Sequence, residues 1–122
     1  MVVVWCFKII SSFIFFKLVL NNDARVNLEE LKANSKDAAV EKHVPAVSYK
    51  DNKVEVVVGD VIHPMLDEHF IQEIVLETNH STHIRHLKPG EEPKATFVLA
   101  EGEKPVAVYE YCNLHGLWVK EF

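Results

Sequence analysis

A thiol and an imidazole stand three residues apart near the C-terminus, at Cys112 and His115, directly before Gly116. This Cys-x-x-His spacing lets both side chains bind a single ion, so the two residues are first of all a candidate pair of metal ligands. Two ligands do not make a site, and a cysteine and a histidine often share a short window by chance. The remaining ligands therefore have to come from elsewhere in the chain.

Histidines can supply them, because the chain has seven in 122 residues. His43, His63 and His69 lie where predicted strands meet loops. The loops of a β-sandwich gather at its two ends, so ligands from separate strand ends can meet there. Together with Cys112 and His115, these residues could offer four imidazoles and one thiolate to one ion.

A second group of histidines, His80, His83 and His86, has an attractive regular spacing. On a strand, however, residues separated by an odd number point to opposite faces, so His83 would face away from the other two. We interpret these three histidines as surface residues without a metal.

The identity of the metal is open at this level. Structural zinc, as in a metal-sensing module, prefers a closed shell of four ligands that is richer in cysteine. A sandwich with an upstream histidine and a C-terminal Cys-x-x-His also resembles the cupredoxins, whose copper sites add an axial methionine or a substitute. No methionine follows His115, and two histidines would be left over. Four imidazoles and one thiolate leave one octahedral position open, which suits iron that binds a small molecule directly.

Composition limits the other functions. The net charge of −5 makes a nucleic-acid partner unexpected, since that role needs a basic face. Two cysteines, Cys6 and Cys112, are too few for a secreted disulfide framework, and a reducing compartment, the cytoplasm, is expected. A disulfide between these two cysteines is a minor alternative.

From residue 45 onward, short apolar runs alternate with turn signals. The runs cover residues 45–49, 53–58, 70–77, 82–87, 95–99, 106–111 and 117–120. The run 70–77 also fits one face of a helix, but its β-branched content favours a strand. Short strands at this spacing predict an all-β, antiparallel sandwich or barrel, with a first hairpin turning at Asp51 and Asn52.

The N-terminal residues 1–20 are strongly apolar, but Lys8 and Lys17 leave no uncharged run of membrane-spanning length. They also lack a basic start and a cleavage site for a signal peptide. We expect a strand or helix packed on the domain, with membrane association or a segment that does not fold by itself as alternatives. Residues 21–42 are interpreted as a linker with short helical turns, one of them capped by Asp37.

Three motifs stand out: residues 41–45 (EKHVP), residues 63–65 (HPM) followed by His69, and residues 111–118 (YCNLHGLW). Together they resemble one known family, the superoxide reductases of the desulfoferrodoxin and neelaredoxin group. The resemblance covers about residues 28–119. It implies an immunoglobulin-like, antiparallel, seven-stranded β-sandwich over residues 28–122, preceded by an atypical apolar segment, residues 1–27.

The resemblance also implies a site and an activity. One mononuclear iron, cycling between Fe²⁺ and Fe³⁺, would reduce superoxide by one electron to hydrogen peroxide. Its equatorial ligands would be His43, His63, His69 and His115, and its axial ligand would be Cys112.

Two further residues acquire roles through the resemblance. Glu41 would cap the oxidised iron in the sixth position, and Lys42 would supply the positive charge that attracts the anion. A rubredoxin-like protein would return the electron, and a homodimer or homotetramer is left open. Only Cys6 precedes Cys112, so the second, four-cysteine iron centre of many desulfoferrodoxins cannot form, and a one-iron type is expected.

Overall fold

Antiparallel strands make up almost all regular structure in the computed structural model, which describes residues 2–9, 12–20 and 26–122. The strands, in chain order, are β1 (Val2–Ile9), β2 (Ser12–Leu20), β3 (Val26–Leu31), β4 (Pro45–Lys50), β5 (Lys53–Val58), β6 (Ile71–Thr78), β7 (Thr82–His86), β8 (Lys94–Val98), β9 (Pro105–Cys112) and β10 (Gly116–Glu121). A single helical turn, α1 (Val40–His43), precedes β4. The chain divides into two units, Met1–Lys32 and Ala33–Phe122.

The second unit is a two-sheet sandwich. One sheet has the order β10-β9-β6-β7 and the other the order β4-β5-β8, with every pair antiparallel. The described residues of this unit thus contain seven strands, and the chain alternates between the sheets as in a Greek key. The predicted all-β, immunoglobulin-like antiparallel sandwich is confirmed.

Alternation of side chains explains how strands β5 and β8 bury one of their faces. In β5, Val54, Val56 and Val58 are buried while the residues between them are largely exposed. In β8, Ala95 and Phe97 are buried in the same way. These side chains meet the inner faces of β6 and β9 in one apolar core. A period of two is what a strand with one solvated face requires.

Two local predictions from the sequence are also confirmed. Asp51 and Asn52 have φ angles of 52° and 59°, the two positive values that a type I′ hairpin turn needs. The ambiguous run 70–77 forms strand β6, which lies between β9 and β7. Because β6 pairs with a strand on each side, its residues form a strand, which the periodicity of the sequence alone could not decide.

The interpretation of residues 21–42 as a linker needs correction. Val26–Leu31 is strand β3, which pairs antiparallel with β2. The apolar strand beside it supplies hydrogen bonds that the charged sequence of β3 does not suggest. The helical turn occurs at Val40–His43, but its N-cap is Ala39 without a side-chain cap, so Asp37 does not cap it. Residues 21–25 of this prediction lie outside the described residues.

The first unit is a three-stranded antiparallel sheet in the order β1-β2-β3. Residues 2–9 and 12–20 are therefore strands, which is one of the two forms that we expected for the N-terminal residues. No helix among the described residues is both long and apolar enough to span a membrane.

Candidate metal centre

Three segments of the sandwich carry the five candidate ligands to one point. His43 ends helix α1, His63 and His69 lie in the connection between β5 and β6, and Cys112 and His115 flank the turn between β9 and β10. Their ligand atoms all lie within 4.8 Å of one another. The structure thus brings together all five residues that the sequence singled out.

The four imidazole rings form a closed cycle in the order His43, His63, His69, His115. The centroids of neighbouring rings are 4.7, 4.6, 5.0 and 4.8 Å apart, and neighbouring planes are steeply inclined, at 73° to 86°. His43 and His69 lie across the cycle, with centroids 6.4 Å apart and planes inclined by only 29°. This is the arrangement of four ligands at the corners of a square.

Hydrogen bonds to carbonyl groups fix which nitrogen of two rings faces the centre. The Nδ1–H of His43 donates to the carbonyl of Ala39 at 2.7 Å, and the Nδ1–H of His63 donates to the carbonyl of Pro64 at 2.7 Å. Each neutral ring then presents the lone pair of Nε2, and these two atoms are 3.2 Å apart. A hydrogen bond between them would lack a proton, whereas a cation between them satisfies both lone pairs.

The other two imidazoles agree with a bound cation. The Nε2 of His69 is buried without a hydrogen-bond partner. His115 uses its other nitrogen, since its Nδ1 lies 3.1 Å from the Nε2 of His43. Neighbouring nitrogens on a metal at bond lengths of about 2.1 Å are about 3.0 Å apart, so these contacts have the size of adjacent coordination positions. The donor set therefore fits a metal ion.

Burial keeps the imidazoles of His43, His63 and His69 neutral and able to bind. It lowers the pKa of His63 to about 4, and it also lowers the pKa of His43 and His69. Repulsion among the rings and the positive charge of Lys42 lower the pKa of His43 and His69 further. A metal therefore does not have to displace protons from these rings at neutral pH.

The thiol of Cys112 is fully buried and forms no disulfide. Its Sγ lies 3.9 Å from the Nδ1 of His115. Burial raises the pKa of the thiol, backbone N–H groups of His115 and Leu114 lower it, and the buried carboxyl of Glu110 raises it. Since a coordinating thiol is deprotonated by its metal, the thiolate belongs to the metal-bound state.

Several residues that the sequence did not reveal shape the site. Trp118 stacks on His43, with centroids 5.0 Å apart, and its Nε1–H donates to the carbonyl of His115 at 3.0 Å. Gly59, at φ 83°, lies so close to α1 that an added Cβ would come within 2.5 Å of the carbonyl oxygens of Lys42 and Val61. In the sequence, the position of Gly59 at the end of an apolar strand was the available signal for this close approach, but glycines occupy the same position in many ordinary turns.

Glu41 and Lys42 are exposed on α1, and neither joins the ligand cluster. The side of α1 that carries Glu41 lines an open cleft shared with Asp60 and Lys120. The positive charge of Lys42 lowers the pKa of both His43 and His69.

The second histidine group forms no metal cluster within the described part of the chain. His80 and His86 are exposed, as expected for surface residues. His83 is half-buried instead, and its Nε2 lies 2.8 Å from the Oε1 of Glu103. Glu103 in turn accepts a hydrogen bond from the Thr78 hydroxyl at 2.7 Å.

Comparison with known proteins places this geometry in a family. The family model described as Desulfoferrodoxin matches residues 35–121. A desulfoferrodoxin of Syntrophotalea carbinolica is 50% identical over 91 residues, which cover 75% of this chain and 71% of that protein. A superoxide reductase of Pyrococcus horikoshii is 36% identical over 104 residues, with 66% of this chain and 85% of that protein covered.

Solved structures agree with these sequence matches. The crystal structure of the superoxide reductase from Treponema pallidum superposes with a TM-score of 0.76 at 36% identity, covering 85% of this chain and 84% of that one. The one-iron superoxide reductase from Giardia intestinalis gives a TM-score of 0.58 at 32% identity, covering 67% of this chain and 97% of that one. With its sandwich, its four-imidazole cycle and its buried thiol, the chain belongs to the desulfoferrodoxin family.

Proposed function

We propose that the chain is a superoxide reductase, which converts superoxide, one electron and two protons into hydrogen peroxide at a mononuclear iron. The observation that carries this function is the cycle of four imidazoles, with a buried thiol, whose ligand atoms all lie within 4.8 Å of one another. Relatives and structural neighbours that bear the name superoxide reductase support the same reaction.

Iron is favoured over the two alternatives by the donor set. Blue copper takes two histidines and one cysteine with a weak axial ligand, and two of the four imidazoles would then have no role. Structural zinc takes four ligands in a closed tetrahedron, which does not accommodate a square of imidazoles plus a thiolate. When bound, ferrous iron supplies the electron and an open coordination position for superoxide.

The five ligands have distinct proposed roles. We assign the equatorial positions to the imidazoles of His43, His63, His69 and His115. The first three would bind through Nε2 and the last through Nδ1, which follows from the hydrogen bonds and contacts of these atoms. Cys112 would be axial, and its thiolate would donate electron density that favours electron transfer and release of peroxide.

Lys42 would attract superoxide to the site. The chain as a whole carries a net charge of −5, so an anionic substrate depends on local positive charge. The positive charge of Lys42 lowers the pKa of His43 and His69, which supports this role.

Glu41 would close the sixth position in the oxidised state. Its carboxylate is exposed and, among the described residues, no hydrogen bond holds it in the cleft, so it is free to turn toward the metal. In the reduced state the same position would stay open for superoxide.

The partners and the setting are also proposals. A rubredoxin-like protein would return one electron per turnover, and the chain would work in the cytoplasm as a homodimer or homotetramer. The catalytic domain would span residues 28–122, with residues 1–27 as an atypical apolar segment. Cys6 is the only cysteine among residues 1–111, so these residues cannot form a four-cysteine iron centre, which supports a one-iron type.

Metal analysis combined with absorption spectroscopy tests the proposal. The purified protein should contain one iron per chain and, on oxidation, should develop a thiolate-to-iron charge-transfer band in the visible range. Preferential uptake of copper with an intense blue band would favour the cupredoxin alternative. Stoichiometric zinc in a redox-silent protein would favour a structural or sensing module.

A further inference from the structure

His69 differs from His43 and His63 in how it is held. The rings of His43 and His63 are each fixed by a hydrogen bond from Nδ1 to a carbonyl oxygen. No hydrogen bond reaches a ring nitrogen of His69 from any residue that the structure describes, and its buried Nε2 lacks a partner. Without a hydrogen bond to its ring, the position of His69 depends on the backbone that carries it and on the neighbouring rings.

The side chain of Asn113 holds that backbone on both sides. Its Nδ2–H donates to the carbonyl of Glu68 at 3.1 Å, which belongs to the peptide group before His69. Its Oδ1 accepts the N–H of Phe70 at 2.9 Å, which belongs to the peptide group after His69. One carboxamide therefore binds both peptide groups that flank this ligand.

The backbone of Asn113 strengthens the link between the two segments. Strands β6 and β9 pair as far as Ile71 and Cys112, and the N–H of Asn113 then donates to the carbonyl of Phe70 at 3.1 Å. A hydrogen-bonded antiparallel pair exchanges two N–H···O=C bonds, and here the side-chain Oδ1 replaces the backbone carbonyl in the second bond. The backbone after Asn113 is thus free to turn and bring His115 back toward Cys112.

We propose that Asn113 is a positioning residue for the metal site, which sets the place of His69 relative to Cys112 and His115. This inference rests on the metal site of the proposed function. It predicts that loss of the Asn113 carboxamide weakens metal binding specifically through His69. A residue that merely stabilises the fold would lower the stability of the protein without this specific effect.

Asn79 offers a matched control in the same chain. Its N–H donates to the carbonyl of Lys104 at 3.0 Å, and its Oδ1 accepts the N–H of Lys104 at 2.8 Å. This repeats the two bonds between Asn113 and Phe70, but in the connection after β6 and away from the ligand segments. Asn79→Ala therefore removes the same kind of side-chain bond without touching the candidate site.

The test compares the affinities of Asn113→Ala and Asn79→Ala for Fe²⁺, measured anaerobically by competition with a chelator, and for Co²⁺, measured by its absorption. Loss of a residue that orients a metal ligand typically weakens binding by about 10- to 100-fold, and we expect this for Asn113→Ala. Asn79→Ala should bind both metals as the unaltered protein does. Equal affinities of the two variants would overturn the inference.

A double-mutant cycle with His69→Ala isolates the path of the effect. If Asn113 acts through His69, Asn113→Ala should cause almost no further loss of affinity once His69 is absent. An undiminished loss in the His69→Ala background would also overturn the inference. If Asn113→Ala does not fold, Asn113→Gln, which moves the carboxamide outward by one methylene, should weaken Co²⁺ binding in the same direction, and unchanged binding would refute the role.

These readouts are separate from the proposed activity. Co²⁺ binding reports on ligand position whether or not the iron form reduces superoxide. A protein that binds Co²⁺ in the predicted pattern but does not consume superoxide would contradict the proposed function and leave the role of Asn113 supported.

Discussion

Replacement of Gly59 by alanine should separate helix α1 from the segment that leads to His63. Gly59 has a φ of 83°, and an added Cβ would come within 2.5 Å of the carbonyl oxygens of Lys42 and Val61. Both neighbours are backbone atoms, and the contact with Lys42 can be relieved only by moving α1 away from the segment of Gly59. Two backbone hydrogen bonds would then be strained or lost, from Val61 N–H to Glu41 and from Gly59 N–H to Val44.

The expected cost follows from these contacts. The left-handed backbone costs a residue with a Cβ about 1–2 kcal/mol, and the stiffer unfolded chain offsets about 0.4–1 kcal/mol of it. The two hydrogen bonds add about 1 kcal/mol each. Gly59→Ala should therefore lower the free energy of unfolding by about 3 kcal/mol in the metal-free protein. Metal affinity should also fall, because His43 and His63 sit on the two separated segments.

Gly102→Ala is the matched control. Gly102 has a φ of 81°, but an added Cβ would meet nothing within 4 Å. Only the backbone strain then applies, and the expected loss is about 1 kcal/mol or less. Urea unfolding of both metal-free variants, with a metal titration of each, measures the difference. Equal losses of stability and unchanged metal affinity for Gly59→Ala would refute the close contact between these segments.

Three other predictions concern the site and the pH dependence of stability. Cys112→Ser should abolish superoxide reduction and the thiolate-to-iron absorption band even if iron still binds, and full activity would rule out the axial role. Lys42→Ala should slow the reaction with superoxide several-fold at low salt and weaken its dependence on ionic strength. Lys53→Ala, which replaces an exposed lysine at the far end of β5, is the control and should change neither the rate nor this dependence. Hydrogen bonds from His83 and other groups lower the pKa of Glu103 from 4.5 to about 2. The ionised carboxylate therefore stabilises the fold above pH 4.5, and this stabilisation is lost as the pH falls toward 2. The difference in unfolding free energy between the protein and Glu103→Gln should therefore shrink over that pH range, and a constant difference would contradict the lowered pKa.

The cluster of candidate ligands could be predicted from the sequence because its residue types are rare and lie at strand ends. His43, His63, His69, Cys112 and His115 needed only the general rule that sandwich loops gather at the poles. The strands were predictable for a similar reason, since alternation in β5 and the turn at residues 51 and 52 are local properties of the chain.

The parts that the sequence did not reveal depend on contacts between distant segments. The choice of Nε2 in His43 and His63 follows from carbonyl groups whose positions only the fold determines. The choice of Nδ1 in His115 follows from its contact with the Nε2 of His43. The two side-chain hydrogen bonds of Asn113 link it to residues that are far away in the chain. Strand β3 was missed because its pairing with β2 overrides a charged, linker-like composition.

The stoichiometry of the reaction with superoxide tests the central claim most directly. The iron-loaded, reduced protein would be mixed rapidly with superoxide, and the oxidised iron, hydrogen peroxide and oxygen would be measured. Reduction predicts one iron oxidised and one hydrogen peroxide formed for each superoxide consumed, with no release of oxygen. Half as much peroxide, accompanied by oxygen and with the iron left reduced, would show dismutation instead and would contradict the proposed function.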